Sequence, residues 1–322
     1  MTHASGGGAG ADQAGADQTD AGHDGAGDVR CPLCGATGTF VWKASSITGD
    51  LVPEDLAITD SRYGTTLPLL QCRSCGFRFA DPRTVPDLIE LYGALDDPAY
   101  TDTAGVRRVQ QRTLIEGLRR HRPDARTLLD VGAANGLLVD EASRAGMHAV
   151  GVEPSEALAA EARVRGVEVH TGVLPHPDLA DRQFDVVTLI DVIEHVPDPV
   201  GLLRLARARL APGGCILVVT PDIASLAARA LGRRWWHLRL AHVVYFTRGT
   251  LTRALAAAGL NAEQWWRPGW VFEVGYLTER LGEYVPPLGT FASRHADSSL
   301  MHRSVPLNLY DSLAVIATPA SS

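Results

Sequence analysis

The chain has 322 residues, 45% of them hydrophobic and 21% charged, and no apolar run in it is long enough to span a bilayer. Its formal charge is −7; five aspartates (Asp12, Asp17, Asp20, Asp24 and Asp28) precede the first arginine, Arg30, and removing them leaves a body at −2. That near-neutral body argues against nucleic-acid binding through phosphates. The N-terminus has no basic segment followed by an apolar core, so the expected location is cytoplasmic.

Residues 1–29 are almost entirely Gly, Ala, Asp, Gln, Thr and His, which reads as a disordered tail. Residues 30–80 carry two C-x-x-C-G knuckles, Cys31-Pro-Leu-Cys34-Gly and Cys72-Arg-Ser-Cys75-Gly. This spacing lets two pairs of thiolates close a tetrahedral shell, so the segment reads as zinc-ribbon-like, with a structural Zn²⁺ held by Cys31, Cys34, Cys72 and Cys75. The insert between the knuckles has few apolar residues and is expected to depend on the metal. Residues 81–125 form a connector: a short helix within "DPRTVPDLIELYG", then a helix over 106–121.

From 126 to 320 strands and helices alternate. Strands are expected at Thr127–Val131, Ala149–Glu153, Glu168–His170, Phe184–Ile190 and Cys215–Thr220, with helices at Leu137–Ala145, Glu156–Arg165, Pro199–Leu210 and Thr250–Ala258. This order implies an α/β fold, a mostly parallel sheet with helices on both faces. The stretch around Trp265–Val274 and "NLYDSLAVIATP" read as two late strands, an antiparallel edge pair.

The first strand runs into the turn Gly132-Ala133-Ala134-Asn135-Gly136, which lacks both the G-x-G-x-x-G spacing of a dinucleotide turn and a P-loop. An NAD-dependent oxidoreductase is therefore disfavoured. Acids stand at the ends of three strands: Asp130, Glu153 and, just past the fourth, Asp191. Such acids line the crevice where open α/β sheets bind ligands, and one at the second strand tip can accept both hydroxyls of a ribose.

The order D-V-G-x-x-x-G, G-V-E-P-S, F-D-V-V-x-x-x-D-V-x-E-H-x-x-D-P and L-x-P-G-G resembles that of class I S-adenosylmethionine (SAM)-dependent methyltransferases over about residues 100–320. The resemblance implies a Rossmann-like sheet, SAM as cofactor and a set of binding residues. Asp130, Gly132, Ala134 and Gly136 would lie at the methionyl part, Glu153 at the ribose, Gly172, Val173 and Leu174 at the adenine, and Asp191 near the sulfonium. A zinc-ribbon-like segment ahead of such a domain is similar to a bacterial group of secondary-metabolite and deoxysugar methyltransferases. The sugar C-methyltransferases of that group have an acid where "RLAHVVYFT" has Ala241, and they carry a further C-terminal domain; both differences lean the expectation to O-methylation.

Methyl transfer to a hydroxyl needs a base, and histidine suits it. His242, between the fifth strand and the next helix, and His195, after the fourth strand, are the catalytic candidates, with His237 a third behind them. Trp235, Trp236, His237 and Tyr245, within an Arg-rich stretch, are the candidates for contacting a small-molecule acceptor such as a natural product or a nucleotide-linked sugar. A sugar C-methyltransferase, an RNA methyltransferase and a non-catalytic SAM-fold assembly module remain as alternatives.

Overall fold

The computed structural model describes residues 28–47, 49–57, 62–97, 104–282, 294 and 298–320, so nearly all of the expected N-terminal tail lies outside the described residues. In chain order, three short strands come first: β1 (Thr39–Lys43), β2 (Leu69–Cys72) and β3 (Arg78–Ala80). Two helices follow, α1 (Leu88–Gly93) and α2 (Ala104–His121). The alternating part comprises β4 (Thr127–Val131), α3 (Leu137–Arg144), β5 (His148–Glu153), α4 (Glu156–Val164), β6 (Val169–Thr171), β7 (Phe184–Ile190), α5 (Pro199–Arg207) and β8 (Leu210–Pro221). Then come α6 (Leu226–Leu231), β9 (Val244–Tyr245), α7 (Arg248–Ala257), β10 (Leu260–Trp266), β11 (Trp270–Glu273), α8 (Val274–Gly282), β12 (Ser304–Leu307) and β13 (Ser312–Pro319).

Seven strands form the central sheet in the order β10-β13-β8-β7-β4-β5-β6. β4 to β8 are parallel, while β13 runs antiparallel between β8 and β10. The parallel strands are buried on both faces, which is why they read as unbroken apolar runs. Alternate residues feed two cores. Leu128, Val186 and Leu217 pack with Leu114 and Leu118 of α2, whereas Leu129, Val187 and Val218 pack on the side that also holds Leu69, Leu70, Phe77 and Phe79. Helix starts follow their caps: Asp87, Ser155, Asp198 and Thr247 each accept from backbone N–H groups of α1, α4, α5 and α7.

The helix expected to reach Leu210 ends at Arg207, because Leu210 already pairs with Phe184 and opens β8. The strand expected from Cys215 therefore extends back to Leu210, with a register break facing Asp185. The late strands also divide differently. The stretch Trp265–Val274 splits between β10, which pairs with β13, and β11, which pairs with β12 in a separate ribbon. Gly269 lies between them, where Pro268 removes a donor from any continuous ladder.

The cysteine segment is not a free-standing unit. Its sheet has the order β1-β2-β3-β9, and β9 comes from the loop after α6. Arg78 pairs with Tyr245 and Phe79 with Val244, while Gly64 N–H donates to Leu238 O at 2.7 Å and Arg239 to Ala57 O at 2.6 Å. The weakly apolar insert is thus folded onto the segment 232–246.

Candidate active site

The carboxyl ends of β4, β5 and β7 meet at one crevice, built around the turn 132–136. Gly132 has φ +76°, and a Cβ there would lie 2.5 Å from Val192 Cγ2, so both conformation and space require glycine. Ala134 adopts φ +46° despite its side chain, and Asp191 does so at φ +52°. The third non-glycine residue with positive φ among the described residues, Tyr310, immediately precedes Asp311 of the same site. Strained residues of this kind cluster where a ligand is held.

Glu153 ties the turn to β5. Its buried carboxylate accepts from Ala134 N–H at 2.8 Å through Oε2 and from Ser155 N–H at 2.9 Å through Oε1. Each oxygen keeps a second lone pair, so a diol can still donate to it. Burial pushes the Glu153 carboxyl up, against those two donors. Asp130 accepts from Thr188 Oγ1 at 2.6 Å, and its burial raises it to about 7. Asp191 is open to water yet walled in enough that desolvation raises it to about 6, opposed by the positive charge available at His237 and Arg107. Three desolvated acids around one glycine turn fit a cationic ligand, as SAM is through its sulfonium and ammonium groups. Gly172 follows β6 and donates its N–H to Glu153 O at 2.8 Å; beyond it Val173 is exposed and Leu174 is buried.

Above the crevice lies a histidine cluster. His195 and His242 meet edge to face with centroids 4.7 Å apart, and His237 stacks on His242 at 5.8 Å and 15°. Tyr92 of α1 shares a 2.6 Å hydrogen bond with His195 Nδ1. Burial lowers His195 to about 3, and His242 also falls well below the usual imidazole range, so both rings are neutral. Glu194 accepts from Thr220 Oγ1 at 2.9 Å, and burial raises its carboxyl well above the ordinary range. Glu194, His195 and His242 bring one donor atom each within 4.8 Å of one another. Burial thus disfavours the charged form of each member of the trio.

Of the residues expected to touch an acceptor, Trp236 and His237 are partly exposed. Trp235 and Tyr245 are buried instead. Trp235 is 1% exposed and Tyr245 3%, both inside the apolar core, where aromatic area is worth most. Arg233 and Arg234 are exposed.

Sequence reasoning missed Tyr92, Thr188 and Asp311. Asp311 was detectable in principle: an antiparallel strand begins where its parallel neighbours end, and Ser312 pairs with Pro221 at the carboxyl edge. Tyr92 reaches His195 across 103 positions and left no local signal.

Cys31, Cys34, Cys72 and Cys75 have free thiols, Cys72 closing β2 and Cys75 standing in the turn to β3. Cys31 and Cys75 sulfurs lie 3.6 Å apart, as do those of Cys34 and Cys72, and all four converge within 4.8 Å. Tetrahedral thiolates at about 2.3 Å from one ion stand about 3.8 Å apart, so this cluster has the dimensions of a four-sulfur metal site. Gly35 and Gly76, each following a knuckle at φ +71° and +72°, give the two halves the same turn.

The sheet order, the glycine turn and the acids at the strand tips define a Rossmann-like class I SAM-dependent methyltransferase fold. Residues 106–264 match the family model described as a methyltransferase domain. A ubiquinone biosynthesis O-methyltransferase of Pseudomonas paraeruginosa is 34% identical over 102 residues, covering 30% of this chain and 44% of the relative. Its namesake from Hydrogenovibrio crunogenus is 29% identical over 102 residues, covering 30% and 42%. The chain thus spans less than half the length of these curated relatives. A solved SAM-dependent methyltransferase of Thermotoga maritima is 20% identical, with a TM-score of 0.43 over 68% of this chain and 92% of that one.

Proposed function

We propose that the chain transfers the methyl group of SAM to a hydroxyl of a small-molecule acceptor, a natural product or a nucleotide-linked sugar. The observation that carries this reading is the desolvated trio Asp130, Glu153 and Asp191 around the turn, facing a histidine cluster across the crevice. In this reading Asp130, Gly132, Ala134 and Gly136 surround the methionyl end. Glu153 accepts from the ribose, Gly172, Val173 and Leu174 border the adenine, and Asp191 lies by the sulfonium. SAM supplies an electrophilic methyl, and the chain must align the acceptor oxygen with it and take a proton. His195 and His242, carried forward from the sequence as catalytic candidates, and His237 beside them form the cluster from which that base comes. O-methylation is supported by the O-methyltransferase names of the relatives above.

The exposed Arg233 and Arg234, with partly exposed Trp236, would suit a phosphate-bearing or carboxylated acceptor. The near-neutral body supports a small acceptor over a nucleic acid. Zinc in the four-cysteine cluster is part of the proposal, supported by the sulfur spacing. The free thiols suit a reducing compartment, the cytoplasm; no helix among the described residues is long and apolar enough to cross a membrane.

The test is transfer of labelled methyl from SAM to catechol and to UDP-glucose as probe acceptors, with products resolved by mass. A methyl ether on either supports the reading. Methyl bound to carbon, or SAM binding with no transfer to either probe, contradicts it. Metal analysis accompanies the assay: one zinc per chain is expected, lost on replacing Cys31 and Cys34 by serine.

A further inference from the structure

We infer that the proton-accepting group of this site is His237, held by Asp311, and that His242 and His195 are positioning residues behind it. The inference rests on the proposed methyl transfer and names its base. Of the three clustered imidazoles, His237 alone combines an accessible ring with a carboxylate partner. Its side chain is 25% exposed, and its Nε2 lies 3.4 Å from Asp311 Oδ2. His242 is 6% exposed, with Nδ1 buried and unpartnered, and His195 is engaged through Nδ1 by Tyr92.

Asp311 is built to hold an imidazole. Its carboxylate is buried at the start of β13, and its Oδ2 also accepts from Trp236 Nε1 at 2.8 Å. Its backbone carbonyl accepts from Asp222 N–H at 2.7 Å, fixing it to the end of β8. His237 and the Trp236 hydrogen bond hold the Asp311 carboxyl below the usual range, so it stays a carboxylate despite its burial. A carboxylate behind one ring nitrogen sets the tautomer and orientation and stabilises the imidazolium once formed. His237 is also close enough to influence Asp191 on the crevice floor.

The groups facing His237 come from three elements: Asp311 of the β13 start, Asp191 and His195 beyond β7, and His242 with Trp235 and Trp236 in its own segment. With Nε2–H donating to Asp311, Nδ1 takes the proton. The acceptor oxygen bonds to the methyl carbon as the carbon–sulfur bond breaks, its electron pair passing to sulfur. The hydroxyl proton moves to His237 Nδ1, giving an imidazolium paired with the Asp311 carboxylate, and water removes it after release. His242 stacks beneath the ring and Tyr92 fixes His195, so these two keep His237 in place.

The experiment uses the full chain with its metal and the acceptor methylated in the assay above. His237→Ala should lower kcat at least a hundredfold while the SAM dissociation constant stays within threefold, and added imidazole should restore part of the turnover. Asp311→Asn should lower kcat about tenfold without imidazole rescue, and His242→Ala should likewise gain nothing from imidazole. Normal turnover in His237→Ala, or rescue of His242→Ala in its place, overturns the assignment. A second readout needs no acceptor: peptide mapping after diethyl pyrocarbonate should find His237 modified ahead of His195 and His242. Prior labelling of either of those two overturns it. A wild-type protein that binds SAM but methylates neither probe defeats the proposed function instead, and the mapping still decides which imidazole is exposed.

Discussion

At the residue scale the site is a balance of desolvated acids. Asp130 and Asp191 stand at about 7 and about 6 in the free protein, above the unfolded carboxyl range near 4. Folding therefore favours their protonated forms, and stability is lost as pH rises from about 4 through 7. A cation in the crevice favours the ionised forms. SAM affinity should accordingly rise with pH from about 5 to 8 and then level off, by up to about tenfold per pH unit for each coupled carboxyl. Calorimetric titrations across that range check it, and Asp130→Asn should flatten the profile; a pH-independent affinity in the native protein contradicts it. Their places were legible in the sequence because each closes or follows an apolar run that ends at the carboxyl edge of the sheet. The roles of the aromatic residues were not. "RRWWH" gives composition but no facing, and the core took Trp235 while leaving Trp236 beside Asp311.

At the element scale the parallel strands were readable from their continuous apolar runs, and the turn after β4 from its glycines. The ends of α5 and β8 were not, because the "LAPGG" stretch that reads as a turn is drawn into the ladder by Phe184. β5 owes its fit to Gly151. A Cβ there would lie 2.5 Å from Ala133 Cβ and 3.2 Å from Val169 Cγ2, so the strand lets the turn close over it. Gly151→Ala should cost about 1–3 kcal/mol in urea unfolding through overpacking and should weaken SAM binding, since Ala133 precedes the Glu153 donor Ala134. Unchanged stability and affinity together would refute this role.

At the scale of the whole molecule, the cysteine segment and the methyltransferase domain share one core and one sheet. β3 pairs with β9, Val243 N–H donates to Glu194 O at 2.9 Å, and Ala80 N–H donates to Val243 O at 2.6 Å. The histidine-bearing segment is thereby clamped between the knuckles and the crevice. Nothing in the spacing of the cysteines announced this, since β9 is two residues long and lies more than 160 positions away. Removing the proposed zinc, or replacing Cys31 and Cys34 by serine, should speed hydrogen exchange at Val243 and Val244 at least tenfold while shifting SAM affinity far less; unchanged exchange would separate the cysteine segment from the segment 232–246.

The account rests above all on SAM binding through Glu153, and one calorimetric comparison tests it. The native chain should bind one SAM. Glu153→Ala, checked to be folded, should bind it roughly ten- to a hundredfold more weakly, the loss of a hydrogen bond to a charged group. No heat of binding in the native protein, or equal affinity in the folded variant, contradicts the account.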